Sequence, residues 1–337
     1  MLVSVIIPAF NVAGCLDRAI DSVLAQTIAD FEIIVVDDAS SDTTADLVRR
    51  RAAEDSRIRL LQNPANSGPS VARNRGIAAA RAKWVAILDA DDAYEPDRLA
   101  ALCAIGEAEQ AALVADNLVL YDAAAGLRIG VGLEDRSEGA VETVSVEDFL
   151  RNCITGRSPF DLGQLKGLMR HDFLLEHELH YPDDLRHGED FDLYARLLLA
   201  GGRFVLIGKP YYLFTQRVGK VSAKPSGFSR TIANYDGMRN ATLALLSHPA
   251  VRGNAVREDL LRARANAIRW HKSGTVLGGL LQSRDVPGLL RACLMDWRIG
   301  AVLVRKLAGR LSRGAFASSM QSMLIAAVAV RLLDDAA

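Results

Sequence analysis

The chain has few cysteines, and none of them are close together in sequence. Only Cys15, Cys103, Cys153 and Cys293 occur in 337 residues, and no two of them form a CxxC pair. Such scattered cysteines favour free or buried thiols over disulfide bonds. We therefore predict a reducing compartment.

The sequence also has little that points to a leader, a membrane span or a nucleic-acid partner. No basic segment precedes the first apolar run, which is too short for a signal peptide. The uncharged stretch 315–330 falls short of the ~20 residues that a bilayer span needs. A formal net charge of −1 gives no reason to expect nucleic acid as a partner. We expect a cytoplasmic protein.

The composition of the chain is ordinary for a globular protein, but the chain is long for a single domain. Half of the residues are hydrophobic and 24% are charged. A length of 337 residues favours a catalytic domain with an appendage. We predict a catalytic domain at 1–230, with a nucleotide-binding half at 1–115 and an acceptor half at 116–230. The remaining region, 231–337, is predicted to be helical.

In the first quarter of the chain, apolar runs alternate with segments of helical spacing. The runs predict strands at 3–7, 31–36, 58–61 and 84–88, and the intervening segments predict helices at 16–24, 43–53 and 71–80. Ser41 or Asp42 is well placed as the N-cap of the second helix. This alternation is typical of right-handed crossovers, so we predict an α/β fold with a mostly parallel sheet covered on both faces.

A polar turn follows each of these strands. The turns are 8–11, 37–42, 66–73 and 89–92. The carboxyl ends of parallel strands meet in one crevice, where ligands bind. The sequence therefore predicts a binding site formed by these four turns.

The fourth strand ends in three carboxylates: Asp89, Asp91 and Asp92. Side chains of like charge packed this closely repel one another unless a cation lies between them. Mg²⁺ sites typically combine one or two carboxylates with substrate phosphates. The alternative is a polar loop that caps the next helix through Asp92 or Glu95.

Six blocks of the sequence resemble family 2 glycosyltransferases, in the order in which that family has them. They are 4–11, 22–27, 32–42, 66–76, 88–92 with Pro96 shortly after, and 188–193. The central segment is most similar to bacterial transferases that assemble exopolysaccharide of the succinoglycan type. The resemblance implies the GT-A nucleotide-diphospho-sugar transferase fold, here with a helical C-terminal appendage.

The resemblance also implies a reaction. The family transfers a sugar, with inversion, from a nucleotide-diphosphate donor to a hydroxyl of an acceptor such as a glycan or a lipid-linked oligosaccharide. It implies Mn²⁺ or Mg²⁺ as cofactor, because such an ion stabilises the leaving diphosphate. Asp91 is then the metal ligand, and Asp89 reaches the ribose, or the metal through water. Ala90 lies beside the nucleotide, and Asp92 acts either directly or as a supporting or capping residue.

For the nucleotide, the resemblance implies walls from Pro8, Ala9 and Asn11 and a hydrogen bond from the base to Asp38. A carboxylate only accepts hydrogen bonds and uracil N3 donates one, which favours a UDP-sugar, although thymine and guanine also have donors. The alternative for Pro8 and Asn11 is a strand-ending turn. Arg73 is either close to the pyrophosphate or an arginine on the helix surface.

An acceptor hydroxyl needs a general base to take its proton during attack. The resemblance assigns this role to Asp190, at the start of a helix that runs to Leu199. A helix N-terminus favours the ionised carboxylate, and Gly188 allows close approach of the backbone. The alternative is that Glu189, Asp190 and Asp192 only complement the helix dipole.

Further candidates carry less weight. Arg217 and Lys220 follow a predicted strand at 204–207, and the resemblance implies a loop there that closes over the diphosphate. Lys166, Arg170 and Asp161 fall on the acceptor side without an assigned role. His177 and His180 have no partner pair at zinc-site spacing.

The region 286–313 carries six arginines and lysines against Asp296 alone, interleaved with apolar residues. A basic amphipathic helix of this kind suits the anionic inner face of the plasma membrane. The alternative is a helical appendage that packs on the catalytic domain or on a second subunit.

Three other classes remain as alternatives. A catalytically silent nucleotide-sugar-binding module is disfavoured because Asp89, Asp91 and Asp190 are all present. A phosphatase of the haloacid-dehalogenase kind expects Thr or Val where this chain has Ala93. A nucleotidyltransferase expects a glycine-rich N-terminal loop where this chain has 8–11.

Overall fold

The structure is a computed structural model that describes residues 1–156, 160–216 and 234–311. The chain divides into two compact units, Met1–Arg264 and Ala265–Ala337. The first unit continues beyond residue 230, where the sequence placed the end of the catalytic domain. The functional boundary stays a prediction.

The first half of unit one alternates strands and helices, as the sequence predicted. Its elements are β1 (Val3–Ala9), α1 (Leu16–Leu24), β2 (Phe31–Asp37), α2 (Thr44–Glu54), β3 (Ile58–Gln62), α3 (Pro69–Ala79) and β4 (Trp84–Ile87). The four strands are parallel and lie in the order β3-β2-β1-β4. The order reverses at β1, so a crevice is expected between the carboxyl ends of β1 and β4.

Helices cover this sheet closely. All seven residues of β2 are buried, as expected for a parallel strand with both faces covered. Gly76 of α3 faces Ile6 of β1, and a Cβ atom added at Gly76 would lie 2.4 Å from the Ile6 side chain. Glycine therefore lets α3 approach the sheet closely enough to hold Arg73 above the carboxyl end of β4.

The second half of unit one completes a ten-stranded mixed sheet. Its elements are β5 (Ala93–Tyr94), α4 (Arg98–Ala108), β6 (Leu113–Asp122), β7 (Leu127–Val131), β8 (Val141–Val144), α5 (Val146–Asn152), β9 (Leu168–Arg170), α6 (His171–Glu176), α7 (Glu189–Leu199), β10 (Phe204–Gln216) and α8 (Tyr235–Ala244). The sheet order is β3-β2-β1-β4-β9-β6-β10-β5, with β7 beside β6 and β8 beside β10. The strand predicted at 204–207 is longer in the structure, because β10 continues past an irregularity at Pro210.

Two predicted helix caps are wrong. The N-cap of α2 is Thr43, and Asp42 instead accepts a hydrogen bond from the Thr44 backbone N–H at 2.9 Å. Neither Asp92 nor Glu95 caps α4, because Asp97 occupies the N-cap position, and the short strand β5 also separates Asp92 from the helix. Asp92 faces β10 instead, which brings it into the site described below.

Helix α9 (Ala255–Gln282) begins in unit one and ends in unit two, which also contains α10 (Val286–Met295) and α11 (Trp297–Leu311). The single basic helix predicted over 286–313 is interrupted at Asp296, where Ser273 Oγ donates to the carboxylate at 2.7 Å. A small apolar cluster of Leu277, Ile299 and Leu303 joins the helices of this unit. Across the described ranges, no helix is long and apolar enough to cross a bilayer.

Candidate active site

A cavity of about 390 Å³ opens at the carboxyl ends of β1, β2 and β4, in the range of small-molecule sites. Seven of the eight predicted nucleotide- and metal-binding residues line it: Pro8, Ala9, Asp38, Arg73, Asp89, Ala90 and Asp91. The structure thus brings together residues from three separate turns and one helix. Phe10, Asn66 and Arg186 also line the cavity.

Arg73 is neither a surface arginine nor a free cation. Its side chain is buried, with Nη2 donating to Asp89 Oδ1 at 3.0 Å and Nη1 donating to Glu189 Oε1 at 2.8 Å. The guanidinium also lies over the Tyr181 ring, 5.3 Å from its centroid. Arg73 therefore joins the turn after β4 to the start of α7, and the helix-surface alternative is wrong.

Asp190 is buried at the start of α7 and is paired with a lysine. Lys166 Nζ donates to Asp190 Oδ2 at 2.7 Å and lies 3.3 Å from Asp89 Oδ2. In the described part of the chain, Asp190 Oδ1 is buried and has no hydrogen-bond partner. A buried carboxylate oxygen without a partner is uncommon and is available to accept a proton or a hydrogen bond.

The cations decide the charge of Asp89. Burial by itself raises the pKa of a carboxyl group, but Lys166 and Arg73 outweigh burial and hold the pKa of Asp89 well below its usual range. Asp89 is therefore ionised at neutral pH. Its two carboxylate oxygens are engaged by different cations, one each.

Asp92 belongs to the same turn but has the opposite environment. It is buried, and it accepts hydrogen bonds from Tyr212 Oη at 2.7 Å and from the Thr215 backbone N–H at 2.8 Å. Burial, with Asp91 and Asp89 close by, raises the pKa of Asp92 to about 8. Asp92 connects the turn to β10 and does not cap α4, and its part in the reaction stays a prediction.

Asp91 lies between these two residues and lines the cavity. Its backbone carbonyl accepts hydrogen bonds from Arg18 Nη2 and Thr215 Oγ1. These contacts fix the backbone of Asp91 at the edge of the cavity. Among the described residues, no group of three His, Cys, Asp or Glu side chains could hold a metal ion. The oxygen donors suit Mn²⁺ or Mg²⁺, but only if the donor phosphates supply the remaining ligands.

On the opposite wall of the cavity, Asp38 is held by uncharged donors. Its carboxylate accepts from Asn63 Nδ2 at 2.7 Å, from the Ser67 N–H at 3.0 Å and from the Gly68 N–H at 2.8 Å. The residue is buried, yet it lines the cavity. The Ser67 N–H also lies 3.1 Å from the second carboxylate oxygen, so each oxygen accepts from two donors and the carboxylate is held firmly in place.

Asn11 is the one predicted nucleotide-binding residue whose side chain does not line the cavity as the structure has it. Its Oδ1 accepts from the Ser41 and Asp42 backbone N–H groups, at 2.8 and 3.3 Å. Asn11 has a positive φ of 53°, which asparagine tolerates better than most residues. The side chain therefore joins the turn after β1 to the turn after β2.

The acidic start of α7 does more than complement the helix dipole. Glu189 and Asp190 pair with cations from elsewhere in the chain, and only Asp192 makes a local ion pair, with Arg196 at 2.7 Å. Gly188 precedes them with a positive φ of 78°, a conformation that favours glycine.

Other predicted residues lie away from the site or outside the described residues. Arg217 and Lys220 fall outside the described ranges. Arg170 forms an ion pair with Asp172 near the surface. His177 packs against Phe173, with the two ring centroids 4.2 Å apart. Neither contributes to the cavity.

Sequence reasoning missed three parts of the site: Arg18, the pair Tyr212 and Thr215, and the role of Lys166. Arg18 lies in the polar spacing of α1, where nothing distinguishes it from a surface residue. Lys166 offers a weak signal in the sequence, because it is the one charged residue among Leu165, Gly167 and Leu168. A lysine in such surroundings is expected to have a carboxylate partner.

Comparisons with known proteins show which family the chain belongs to. The model of glycosyl transferase family 2 matches residues 4–155. Succinoglycan biosynthesis protein ExoO of Rhizobium meliloti is 33% identical over 312 residues, which cover 92% of this chain and 86% of that protein. ExoU of the same organism is 35% identical over 232 residues, covering 68% of this chain and 65% of ExoU.

Solved structures show the same fold. S. aureus TarS 1-349 in complex with UDP-GlcNAc superposes with a TM-score of 0.62 at 20% identity, covering 79% of this chain and 72% of that chain. The predicted GT-A fold is confirmed. The identity to ExoO along most of both chains and the family match show that this chain is a glycosyltransferase of family 2.

Proposed function

We propose that the chain transfers a sugar from a UDP-sugar to a hydroxyl group of a glycan or a lipid-linked oligosaccharide, with inversion, in the synthesis of a bacterial exopolysaccharide. Two relatives named for succinoglycan biosynthesis support the pathway class. TarS structures in complex with UDP and with UDP-GlcNAc support the donor class.

One observation carries the proposal. A buried ion network joins Asp89 in the cavity to Asp190, and Asp190 keeps one carboxylate oxygen without a partner among the described residues. A donor in the cavity and an acceptor beside Asp190 would therefore meet across the network.

In this mechanism, Asp190 Oδ1 takes the proton of the acceptor hydroxyl as that oxygen attacks the anomeric carbon. Attack opposite the leaving diphosphate inverts the anomeric centre in one displacement. A general base in this role contributes about 10²–10⁴-fold to the rate. The Arg73 and Lys166 cations keep Asp89 ionised and compensate its charge, which reduces its repulsion of the donor diphosphate.

Asp91 is the residue that would hold Mn²⁺ or Mg²⁺, together with the donor phosphates. Such an ion supplies positive charge that stabilises the leaving diphosphate. Asp89 is less suited to direct coordination, because both of its oxygens already face cations. Arg18 and Thr215 support the metal role of Asp91 by fixing its backbone.

Asp38 is the base-recognition residue of the proposal. Asp38 lines the cavity, and its carboxylate can accept from the N3–H donor of uracil by sharing an oxygen with the bifurcated Ser67 N–H. Pro8 and Ala9 supply apolar wall, and Asn11 holds the turns that carry this wall and Asp38.

We further propose a cytoplasmic enzyme that contacts the inner face of the plasma membrane through unit two. Leu290 and Leu294 are exposed on α10, next to the exposed Arg291. Apolar and basic side chains on one helix suit an anionic lipid surface. Binding of the full-length protein to anionic vesicles at low salt, absent with neutral vesicles, is the expected result. No binding would favour packing against a second subunit.

The donor proposal is tested by thermal unfolding with UDP, GDP, dTDP and CDP, each with and without Mn²⁺. A ligand at ~100 times its dissociation constant adds about 2.7 kcal/mol to the stability of the folded state. We expect a Mn²⁺-dependent shift with UDP that is lost in Asp91→Asn. Asp97→Asn is the matched control, because Asp97 is exposed and its side chain makes no capping bond.

The outcomes separate the alternatives. Stabilisation by UDP with UDP release from UDP-sugars supports the transferase. Stabilisation without UDP release from any UDP-sugar favours the catalytically silent module. No stabilisation by any nucleotide contradicts the proposed donor class.

A further inference from the structure

Lys166 is a buried lysine that contacts two carboxylates from different parts of the site. Its Nζ donates to Asp190 Oδ2 at 2.7 Å and lies 3.3 Å from Asp89 Oδ2. Only 6% of the residue is exposed. It is thus the one group that touches both the proposed base and the carboxylate on the donor side of the described site.

The backbone around Lys166 is held by buried side chains on each side. Tyr194 Oη donates to the Leu165 carbonyl at 2.8 Å and accepts from the Gly167 N–H at 3.1 Å. Arg98 Nη2 donates to the Lys166 carbonyl, and Arg98 is itself paired with buried Asp116. A residue mounted on such a fixed backbone has little freedom to move.

Tyr194 adds a second link between Lys166 and the base. It lies on α7, one helical turn after Asp190, so the helix that carries the base also holds the segment that carries Lys166. The distance between Lys166 Nζ and Asp190 Oδ2 is therefore set by two connections and not by a single ion pair.

The ammonium group stays charged in this position. Burial alone would lower the pKa of Lys166, but Asp190 and Asp89 outweigh burial and raise the pKa above its ordinary value. Without Lys166, the ion pairs of Arg73 with Asp89 and Glu189 would remain in the described part of the site, and Asp190 would lose its paired cation.

We propose that Lys166 is the positioning residue of the reaction: it fixes the Asp190 carboxylate through Oδ2, so that Oδ1 is presented to the acceptor hydroxyl. The inference rests on the proposed role of Asp190 as the base. The acceptor oxygen forms a bond to the anomeric carbon, its proton moves to Asp190 Oδ1, and the electron pair of the broken bond leaves with the diphosphate. Lys166 keeps its protons throughout, since its role is to hold the carboxylate.

The test compares Lys166→Met and Lys166→Arg with wild type in UDP release from a panel of UDP-sugars, with water as the acceptor. Mispositioning a catalytic group by about 1 Å costs about 100-fold, so we expect a loss of that size in kcat for Lys166→Met. Donor KM is expected to change little, because Arg73 still holds Asp89. Lys166→Arg keeps the charge and should recover part of kcat.

Lys83→Met is the matched control, because Lys83 is half-exposed and pairs with Glu107 at the surface. It should leave kcat and KM unchanged. Unchanged kcat in Lys166→Met would overturn the inference. The inference would also be overturned if Lys166→Arg recovered none of the lost kcat and UDP binding were lost as well. Lys166 would then be needed for the structure of the site as a whole.

A second measurement needs no turnover. The drop in Tm caused by Lys166→Met is measured in wild type and in Asp190→Asn. If Lys166 holds the Asp190 carboxylate, the drop is smaller in Asp190→Asn, because contacting residues are not additive. Equal drops in both backgrounds contradict the contact. If wild type releases no UDP from any donor, the proposed function fails, and the Tm comparison still decides whether Lys166 holds Asp190.

Discussion

Asp38 and Asp89 face the same cavity from opposite walls, but the protein holds them by different means. Asp38 is bound by an amide side chain and two backbone N–H groups, none of them charged. Asp89 is bound by Arg73 and Lys166, both buried cations. One wall fixes a carboxylate without compensating its charge, and the other compensates the charge as well.

The difference matches what each wall is proposed to do. A carboxylate held by neutral donors has no paired cation to compete with a ligand, which suits an acceptor for a base N–H. A carboxylate next to a diphosphate would repel it, and paired cations reduce that repulsion. Hydrogen bonds from neutral groups thus hold Asp38 on the proposed recognition side, and ion pairs hold Asp89 on the proposed reaction side.

Removing a cation should produce the largest loss of stability. In Arg73→Met, Asp89 and Glu189 lose a buried partner, and breaking a buried ion pair costs about 3–5 kcal/mol. Chemical denaturation of the purified variant measures this loss. Arg50→Met, on the exposed face of α2, is the control and should change little. A loss in Arg73→Met as small as in the control would remove the charge-based account of this wall.

Asp38→Ala should lower the free energy of unfolding less than Arg73→Met does, but it should weaken nucleotide binding more. Asp38→Ala leaves three hydrogen-bond donors in the 63–68 loop without their acceptor, and bonds to a charged group contribute about 1.5–3 kcal/mol. Asp38→Asn keeps one carbonyl oxygen and should lose less. Denaturation and calorimetric titration with UDP measure the two effects.

Asp46→Ala is the control for Asp38, since Asp46 forms only an exposed ion pair with Arg49. Exposed pairs contribute about 0–1 kcal/mol. UDP affinity equal to wild type in Asp38→Ala would contradict the proposed contact with the base.

The last prediction concerns the pH dependence of stability at Asp92, whose pKa is raised from 3.8 to about 8 in the folded chain. The folded chain then binds this proton more tightly than the unfolded chain. The stability gained from this proton is fully present below pH 3.8, the ordinary pKa of the carboxyl group. It is lost as the pH rises towards about 8, the pKa in the folded chain. Asp92→Asn has no proton to lose and removes this dependence.

We therefore expect wild type, in EDTA, to lose more stability than Asp92→Asn between about pH 5 and about pH 8. Denaturation curves of both proteins across this range isolate Asp92, because the other groups titrate in both. Parallel curves for the two proteins would show that Asp92 is ionised in the folded state, and would contradict the contrast with Asp89.

The residues that line the cavity on both walls could be predicted from the sequence, because they lie in turns that follow predicted strands. Periodicity gave the strands and helices from β1 to β4, and the crossover rule placed their turns at one edge. Pro8, Ala9, Asp38, Asp89, Ala90 and Asp91 were expected at the cavity and lie there.

The ion pairs behind the Asp89 wall could not be predicted, because their partners are far apart in sequence. Arg73 and Glu189 are separated by 116 positions, and a basic residue in a helix has the same pattern whether its partner is solvent or a distant carboxylate. Asp92 was misjudged as a possible cap for a related reason: its partners Tyr212 and Thr215 lie on β10, whose extension past Pro210 has no clear signal in the sequence.

The measurement that tests the central claim most directly is UDP release from UDP-sugars by wild type and Asp190→Asn, together with the UDP affinity of both. The account predicts at least a 100-fold fall in the rate, as expected on loss of a general base, with unchanged UDP affinity. Asp192→Asn, which alters the neighbouring local ion pair, should keep most of the rate. Full turnover in Asp190→Asn would contradict the assignment of the base.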